Sequence, residues 1–333
     1  MKLGWILSGN KDVAGARIHG WNIHNSLESA TFKYKNLQSN ILYAPKGFEK
    51  DLKISKDEID KIIALKYDIL IFQKIYSGEH LKYFLDSAKS NKIKIIYIGM
   101  DKINELLSDY ADVIIVVSDN LKKQLTPVNR KKATYVFDGY EQDKKICKKH
   151  TNKKSIKLVY ISNNTYEKFP QIETLPQNVT LKIIGPPQRR MIELFPEKEI
   201  FTKTNYKYKY VEWNSKTVLK ELLECDVGVI PYPDELLQTN SVKNKSNNRL
   251  IFLMSLGIPT ICSPTKEYKK LIVNKKNGFI ANNQKDWNKF IIFLRDNPEQ
   301  RKEIGLLARK TVLEKYSLEN QVKEYIKIIQ KLK

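Results

Sequence analysis

Cysteine is scarce in this sequence, and long apolar runs are absent. The three cysteines stand singly, with no Cys-x-x-Cys pair, at Cys147, Cys225 and Cys262. Their spacing excludes a disulfide framework and a structural zinc site of the paired-cysteine kind. The run that begins at Leu250 is interrupted by Gly257 and Pro259, so no stretch reaches the roughly 18 apolar residues that span a bilayer. Residues 3–8 are too few for a signal-peptide core. The sequence therefore predicts a cytoplasmic protein without a membrane span.

Metal-binding patterns are missing as well. No Asp-x-Asp motif occurs, and the four histidines and three cysteines form no cluster with the spacing of metal ligands. We therefore expect no metal and no other cofactor.

Acidic residues are outnumbered. The chain has 59 Lys and Arg residues against 37 Asp and Glu residues, which gives a net charge of +22. Three explanations remain open: attraction to anionic lipid, binding of nucleic acid, and a compositional bias that scatters lysine over every exposed face. The abundance of Asn and Ile beside Lys favours the third explanation for much of this charge.

Strand-length apolar runs alternate with helical stretches along the whole chain. Strands are predicted at residues 3–8, 40–44, 68–72, 93–98, 113–117 and 134–137, and again at 157–161, 180–184, 206–213, 227–231 and 258–262. Such alternation indicates parallel sheets, and a length of 333 residues favours two domains. We predict domains at residues 1–145 and 157–316, a basic linker at residues 146–156, and a last amphipathic helix at residues 317–333.

The stretch of residues 243–268 combines a loop, a short helix and a strand. Ser246 is a good N-cap, and Gly257 suits the left-handed position after the helix. Lys245 and Arg249 lie within one turn of the helix N-terminus, where unpaired N–H groups and the helix dipole favour an anion. This combination fits a diphosphate. The alternative is that both are solvated basic residues in a lysine-rich chain.

The motifs around this stretch follow a specific order. From Cys225 to Ile280 the chain carries CDVGVIPYP, then KSNNRLIFLMSLGIPTICSPTKEY, then NGFI. This order resembles the C-terminal half of GT-B glycosyltransferases, especially family 4. The resemblance implies two Rossmann-like, doubly wound parallel-sheet domains that face a cleft. It also implies that the C-terminal domain binds the nucleotide sugar and that the last helix packs back on the N-terminal domain.

The resemblance implies a set of donor-binding residues. In the family, an Arg and a Lys five residues later bind the donor diphosphate; here Lys168 matches the Lys, and Asn163 occupies the position of the Arg. The family's glycine turn and nucleobase loop correspond to Gly185 and Trp213. At the helix start, the donor contacts implied beside Lys245 and Arg249 are those of Ser246, Asn247 and Asn248.

The sequence departs from the family pattern at the paired glutamates. Their positions are occupied by Asn244 and Phe252, so the usual ribose contact is missing. The helix start instead resembles that of relatives with a Lys-Ser-x-x-Arg pattern. The donor sugar and its nucleotide stay open, and a retaining transfer is favoured over an inverting one.

Candidate residues also follow strands of the first domain. Gly15, Arg17 and His19 come after the first predicted strand, and Asp101 follows the fourth. Gly15 and Arg17 suit the donor phosphate, His19 suits an acceptor hydroxyl, and Asp101 suits orientation of the acceptor or a role as base. A single histidine is more often structural than catalytic, so both interpretations of His19 stay open.

We therefore predict a metal-independent glycosyltransferase that moves a sugar from a nucleotide diphosphate to a hydroxyl of a glycan or lipid-linked acceptor, in surface polysaccharide biosynthesis. Peripheral contact with the anionic inner face of the membrane is expected, and nucleic acid is not. One alternative is a nucleic-acid-binding protein, suggested by the charge and the alternating aromatic and basic residues 206–210. A half-buried strand with its tyrosines inward is the simpler explanation of that pattern. The other alternative is an inactive GT-B partner subunit, suggested by the missing glutamates.

Overall fold

The computed structural model describes residues 1–29, 37–162, 174–186 and 208–332, and the chain divides into two compact units. Unit 1 comprises Met1–Gly139, Asn244–Ser246 and Ser317–Lys333, and unit 2 comprises Tyr140–Lys243 and Asn247–Tyr316. Each unit contains one six-stranded sheet in which every paired strand is parallel. The prediction of two Rossmann-like α/β domains is confirmed.

The strands of unit 1 lie in the spatial order β2-β1-β3-β4-β5-β6. They are β1 Lys2–Leu7, β2 Gln38–Tyr43, β3 Ile69–Gln73, β4 Lys94–Gly99, β5 Val113–Val116 and β6 Ala133–Tyr135. All five residues of β3 are buried, as expected for a parallel strand covered by helices on both faces. The described helices of this unit are α1 Ala14–Ala16, a π-helical turn Arg17–Trp21, α2 Asn22–Glu28, α3 Lys56–Ala64, α4 Leu81–Ser90, α5 Glu105–Tyr110, α6 Asp119–Gln124 and α7 Pro127–Lys131.

The strands of unit 2 lie in the order β12-β11-β10-β7-β8-β9. They are β7 Ile156–Ile161, β8 Val179–Gly185, β9 Tyr208–Glu212, β10 Val227–Ile230, β11 Thr260–Cys262 and β12 Phe279–Ile280. Its described helices are α8 Val218–Leu223, α9 Asp234–Leu237, α10 Asn240–Lys243, α11 Asn248–Ser255, α12 Lys266–Lys269, α13 Gln284–Asp296 and α14 Pro298–Lys315. Gly257 has φ of +76°, which confirms the left-handed residue predicted after α11.

The last helix, α15 Leu318–Gln330, is part of unit 1. Ser317 caps its N-terminus by accepting a hydrogen bond from the backbone of Asn320, and its apolar face buries Val322 and Tyr325. The ring of Tyr325 lies 6.3 Å from that of Trp5 on β1. The helix therefore closes the core beside the first strand.

Strand order reverses once in each sheet. The reversal lies between β1 and β3 in unit 1, and between β7 and β10 in unit 2. At such a switch point the connections leave toward opposite faces, so a crevice opens at the carboxyl ends of the two strands, where open α/β sheets bind ligands. The residues just after these strands are the first candidates for function.

Two arginines of α14 hold the residues between Tyr140 and β7. Arg301 is 1% exposed and donates to the carbonyls of Leu294, Thr151 and Lys153 at 2.6, 2.8 and 3.0 Å. Arg309 donates to the carbonyl of Ile146 at 2.9 Å, and to those of Lys144 and Ser255. Four of these carbonyls, those of Thr151, Lys153, Ile146 and Lys144, belong to a segment that has no regular secondary structure.

Acidification is expected to destabilise unit 2 through His150. Burial, together with the charges of Lys148 and Arg301, lowers the pKa of His150 from 6.5 to about 4. The backbone of Gly257 and the carboxylate of Asp226 act in the opposite direction but do not outweigh them. A group with a depressed folded pKa contributes stability above its unfolded pKa, and this contribution is lost as the pH falls from 6.5 to about 4. After discounting for partial exposure, we expect a loss of about 2 kcal/mol.

The measurement is urea denaturation between pH 7 and pH 4, on the parent protein and on His150→Gln. The carboxylates titrate in both proteins, so their contribution cancels in the difference. We expect the parent to lose more stability than the variant over this window; equal slopes would contradict the assignment to His150.

Candidate functional site

Arg249 lies at the switch point of unit 2. It is the second residue of α11, and its Nη2 donates to Oγ of Ser162, directly after β7, at 3.1 Å. Its guanidinium carbon lies 5.6 Å from the ring centre of Tyr160 and 6.0 Å from that of Tyr232, which follows β10. The two rings and the hydroxyl hold a cation between the ends of β7 and β10.

Two further predicted donor residues lie at the same edge of this sheet. Gly185 ends β8, and its carbonyl accepts from the backbone of Trp213, just after β9, at 2.6 Å. The Trp213 ring meets that of Phe252 on α11 edge to face, with centroids 6.4 Å apart. A phenylalanine thus packs against Trp213 at the position where the family has its second glutamate.

The start of α11 differs from the prediction by one residue. Asn247, not Ser246, is the N-cap, and no side chain caps the helix. Asn247 is buried, Asn248 opens the helix half-buried, and Ser246 precedes it as part of unit 1. The prediction of Ser246 as N-cap was wrong by one residue, because a helix boundary read from the sequence shifts easily by that much. The donor roles predicted for Asn163 and Lys168 fall outside the described residues.

In unit 1, Ser8 and Gln73 join the ends of β1 and β3 across the switch point. Both the backbone N–H and the hydroxyl of Ser8 donate to Oε1 of the buried Gln73, at 3.2 and 3.0 Å. Gly15 lies on α1 beside them, where an added Cβ would come within 3.4 Å of Gln73 and Met100. Arg17 is half-buried and donates to the carbonyl of Lys11 at 2.9 Å. Gly15 and Arg17 therefore lie near the end of β1, as predicted.

The structure brings together two predicted residues of unit 1, Asp101 and Lys245. Oδ1 of Asp101 lies 2.7 Å from Nζ of Lys245, and its Oδ2 lies 2.6 Å from Nζ of Lys74. Burial raises the pKa of Asp101, but the charges and hydrogen bonds of Lys74 and Lys245 outweigh it and lower the pKa from 3.8 to about 2. A carboxylate with such a low pKa is a poor proton acceptor at neutral pH. The geometry therefore disfavours the role as base predicted for Asp101.

His19 is fully buried on the π-helical turn of unit 1. Its Nδ1 is hydrogen-bonded to the hydroxyl of Tyr325 at 2.8 Å, and its Nε2 to Oδ1 of Asp138 at 2.6 Å. Both ring nitrogens are therefore occupied within the core, next to α15. This geometry favours the structural interpretation of His19 over contact with an acceptor hydroxyl.

Sequence reasoning missed Lys74 and the tyrosines around Arg249. Lys74 follows β3 directly, so a systematic reading of the residues after each predicted strand would have found it. Tyr160 lies inside β7, and nothing in its sequence context distinguishes it from an ordinary core residue. The alternating pattern of β9 is that of a half-buried strand: Tyr208 and Tyr210 pack against the core, and Lys209 is exposed.

No group of three or more His, Cys, Asp or Glu residues in the described part of the chain is arranged to hold a metal ion. Likewise, within the described ranges no helix combines the length and the apolarity needed to cross a bilayer.

Comparison with known proteins extends these findings. Residues 172–327, slightly less than half of the chain, match a family model described as "Glycosyl transferase-like". An uncharacterised glycosyltransferase of Methanocaldococcus jannaschii is 23% identical over 285 residues, which are 78% of this chain and 69% of that protein.

Two solved structures share the fold over almost the whole chain. HepE of Anabaena, in complex with UDP-glucose, superposes with a TM-score of 0.70 at 10% identity and covers 99% of this chain and 100% of its own. The lipopolysaccharide outer core galactosyltransferase WaaB superposes with a TM-score of 0.56 at 15% identity and covers 99% of both chains. These structures agree with the fold of two parallel sheets, and together with the family model and the Methanocaldococcus relative they support a glycosyltransferase with the GT-B fold.

Proposed function

We propose that the protein transfers a sugar from a nucleotide diphosphate to a hydroxyl of a glycan or glycolipid acceptor, in the biosynthesis of a surface polysaccharide. The observation that carries this proposal is the position of Arg249 at the switch point of unit 2. A guanidinium group matches the paired oxygens of a diphosphate, and it lies where open α/β sheets bind nucleotides. The UDP-glucose bound to HepE supports a nucleotide sugar as donor.

In this proposal the leaving diphosphate is neutralised by fixed protein charges, with no bound metal and no other cofactor. The first turn of α11 contains Arg249 and no acidic residue, so its backbone N–H groups and dipole favour an anion. Lys245 and Lys168 complete the predicted set of cations. Such preorganised positive charge stabilises the transition state because negative charge grows on the diphosphate as the glycosidic bond breaks.

The acceptor is assigned to unit 1, at the carboxyl ends of β1, β3 and β4. Lys74, which is half-buried, follows β3 there, and the transfer is taken to retain the anomeric configuration. WaaB, a lipopolysaccharide outer core galactosyltransferase, shares the fold, which supports a glycan or glycolipid acceptor.

The test is a thermal-shift screen of UDP, GDP, CDP and TDP sugars, followed by turnover assays with excess EDTA. One nucleotide series should raise the melting temperature, as binding to the folded state requires, and slow hydrolysis or transfer of its sugar should persist with EDTA. If no sugar nucleotide either stabilised the protein or was consumed, an inactive partner subunit would become the better interpretation.

We also propose that unit 1 contacts the anionic inner face of the membrane through α6 and α7, which places the enzyme in the cytoplasm. The two helices and their connection, residues 119–131, contain four basic residues and one acidic residue, Asp119. In the same segment Val128 is 68% exposed, the highest value among the exposed large apolar side chains of the described residues. An exposed apolar side chain in a basic segment fits the headgroup region of an anionic bilayer.

Vesicle sedimentation tests this surface. The triple variant Lys122→Gln, Lys123→Gln and Lys131→Gln is expected to bind vesicles of phosphatidylglycerol and phosphatidylcholine at least about tenfold more weakly, since each surface cation contributes roughly 1 kcal/mol. The matched control removes three exposed lysines of unit 2 by Lys285→Gln, Lys289→Gln and Lys302→Gln. Equal losses in both triples would show a non-specific effect of net charge and contradict the assignment.

A further inference from the structure

Asp101 sits at the tip of a strained turn at the end of β4. Its φ is +58°, and the backbone N–H of Lys102 donates to the carbonyl of Met100 at 2.6 Å. A three-residue turn with positive φ at its central residue is a γ-turn of the rare kind. Backbone strain of this sort persists at functional sites, where surrounding contacts over-determine it.

The neighbouring strand ends in the same unusual conformation. Lys74, directly after β3, has φ of +57°, and its ammonium group meets Oδ2 of Asp101 at 2.6 Å. Its Nζ also lies 4.5 Å from the ring centre of Phe48. Lys74 and Asp101, which follow two adjacent strands, thus both have a left-handed backbone conformation, and their side chains form an ion pair.

The side chains of Asn244 and Lys245 bind the loop Asn244–Ser246 to the same turn. Lys245 pairs with the free Oδ1 of Asp101 at 2.7 Å, and Nδ2 of Asn244 donates to the carbonyl of Asp101 at 2.6 Å. The residue Asn244 is 3% exposed. Its Oδ1 accepts hydrogen bonds from the side chains of Asn120 and Gln124 of α6 at 2.6 and 2.7 Å. The backbone carbonyl and the side chain of Asp101 therefore both bind this loop.

We infer that Asp101 is a positioning residue: by holding the Lys245 ammonium and the Asn244 amide, it fixes the loop Asn244–Ser246 in the conformation from which Lys245 acts on the donor. This inference rests on the proposed function, in which Lys245 neutralises the diphosphate. This inference excludes a role of Asp101 in binding the acceptor, because both of its carboxylate oxygens already bind lysines. The low pKa of Asp101 agrees with this assignment, since the carboxylate stays charged over the whole working range of pH.

A double-mutant cycle tests the inference, with UDP affinity measured by calorimetry on the full chain. Asp101→Asn keeps the shape and removes the charge, and asparagine tolerates positive φ. We expect Asp101→Asn and Lys245→Met each to weaken UDP binding about tenfold, and the double variant to match Lys245→Met within about twofold, because the first change acts only through the second residue. The KM for the acceptor should stay unchanged in Asp101→Asn.

Controls keep the result interpretable. Asp101→Gly relaxes the turn and should reproduce Asp101→Asn, which guards against a folding defect. Glu324→Gln removes the carboxylate of an exposed pair with Lys327 and should leave UDP affinity unaltered.

Two outcomes would overturn the inference. Additive losses in the double variant would show that Asp101 acts independently of Lys245. Tighter UDP binding by Asp101→Asn would show that the carboxylate competes with the diphosphate. Failure of the proposed function gives a different result, namely unchanged UDP affinity in Arg249→Ala.

Discussion

Replacing Arg249 with alanine is expected to weaken binding of the donor diphosphate by about 1.5 to 3 kcal/mol, or roughly 10- to 150-fold, the value of charge-assisted hydrogen bonds. The guanidinium is held by Ser162 and by the rings of Tyr160 and Tyr232. Little conformational freedom is left for it to lose when the diphosphate binds. Its contribution should therefore reach the upper part of this range.

Calorimetric titration with UDP measures this effect, and two variants separate charge from geometry. Arg249→Lys retains the charge but loses the planar fork, so it should recover only part of the affinity. Ser162→Ala removes one contact that orients the guanidinium and should cost less than Arg249→Ala. Arg295→Ala is the matched control, because Arg295 of the same unit pairs with Asp296 on the surface. Unchanged affinity in Arg249→Ala would remove this residue from the donor site.

Replacing Arg301 with methionine is expected to lower the free energy of unfolding of unit 2 by about 2 to 4 kcal/mol. Methionine fills much of the same volume but leaves the carbonyls of Leu294, Thr151 and Lys153 without their donor. The bond to Leu294 is buried, and a buried carbonyl that loses its partner costs about 1 to 3 kcal/mol. Thr151 and Lys153 are exposed residues, so the loss of each of their bonds costs about 1 kcal/mol or less. The effect is large because Arg301 is almost fully buried and ties α14 to the segment before β7.

Urea denaturation followed by tryptophan fluorescence measures this loss. Arg295→Met, six residues earlier, removes a more exposed guanidinium that pairs with the adjacent Asp296 and donates to the carbonyl of Gln177 at 3.0 Å. Water can replace these exposed contacts, so the substitution should cost about 1 kcal/mol or less. Comparable losses in the two variants would show that the carbonyl contacts of Arg301 contribute little. Donor affinity should be preserved in Arg301→Met below its unfolding transition, because Arg301 lies away from the carboxyl ends of the strands.

The strands were readable from the sequence because their signals are local. Runs such as residues 69–72 and 227–230 are apolar and rich in β-branched or bulky side chains, and each is bounded by polar residues or proline. The short helices α6 and α7 and the π-helical turn after β1 were not predicted. Their length is below the span over which helical periodicity becomes visible.

The candidate site was only partly readable. Arg249 and Lys245 stood out because they flank a well-delimited helix, and Gly185 and Trp213 because they follow strands. The pairing of Lys245 with Asp101 could not be predicted from the sequence, because Asp101 lies 144 positions away in the chain. The positive φ of Lys74 and Asp101 has no sequence signature either, since both positions lack glycine.

By itself, the sequence determined two parallel sheets, the helix that carries Arg249 and the excess of positive charge, since each follows from residues close together in the chain. Tertiary structure decided which strands lie side by side at the switch point of each sheet, and therefore that Arg249 meets Ser162. It also decided that Lys245 meets Asp101. These two pairs are separated by 87 and 144 positions in the chain, and no local pattern of side chains records such contacts.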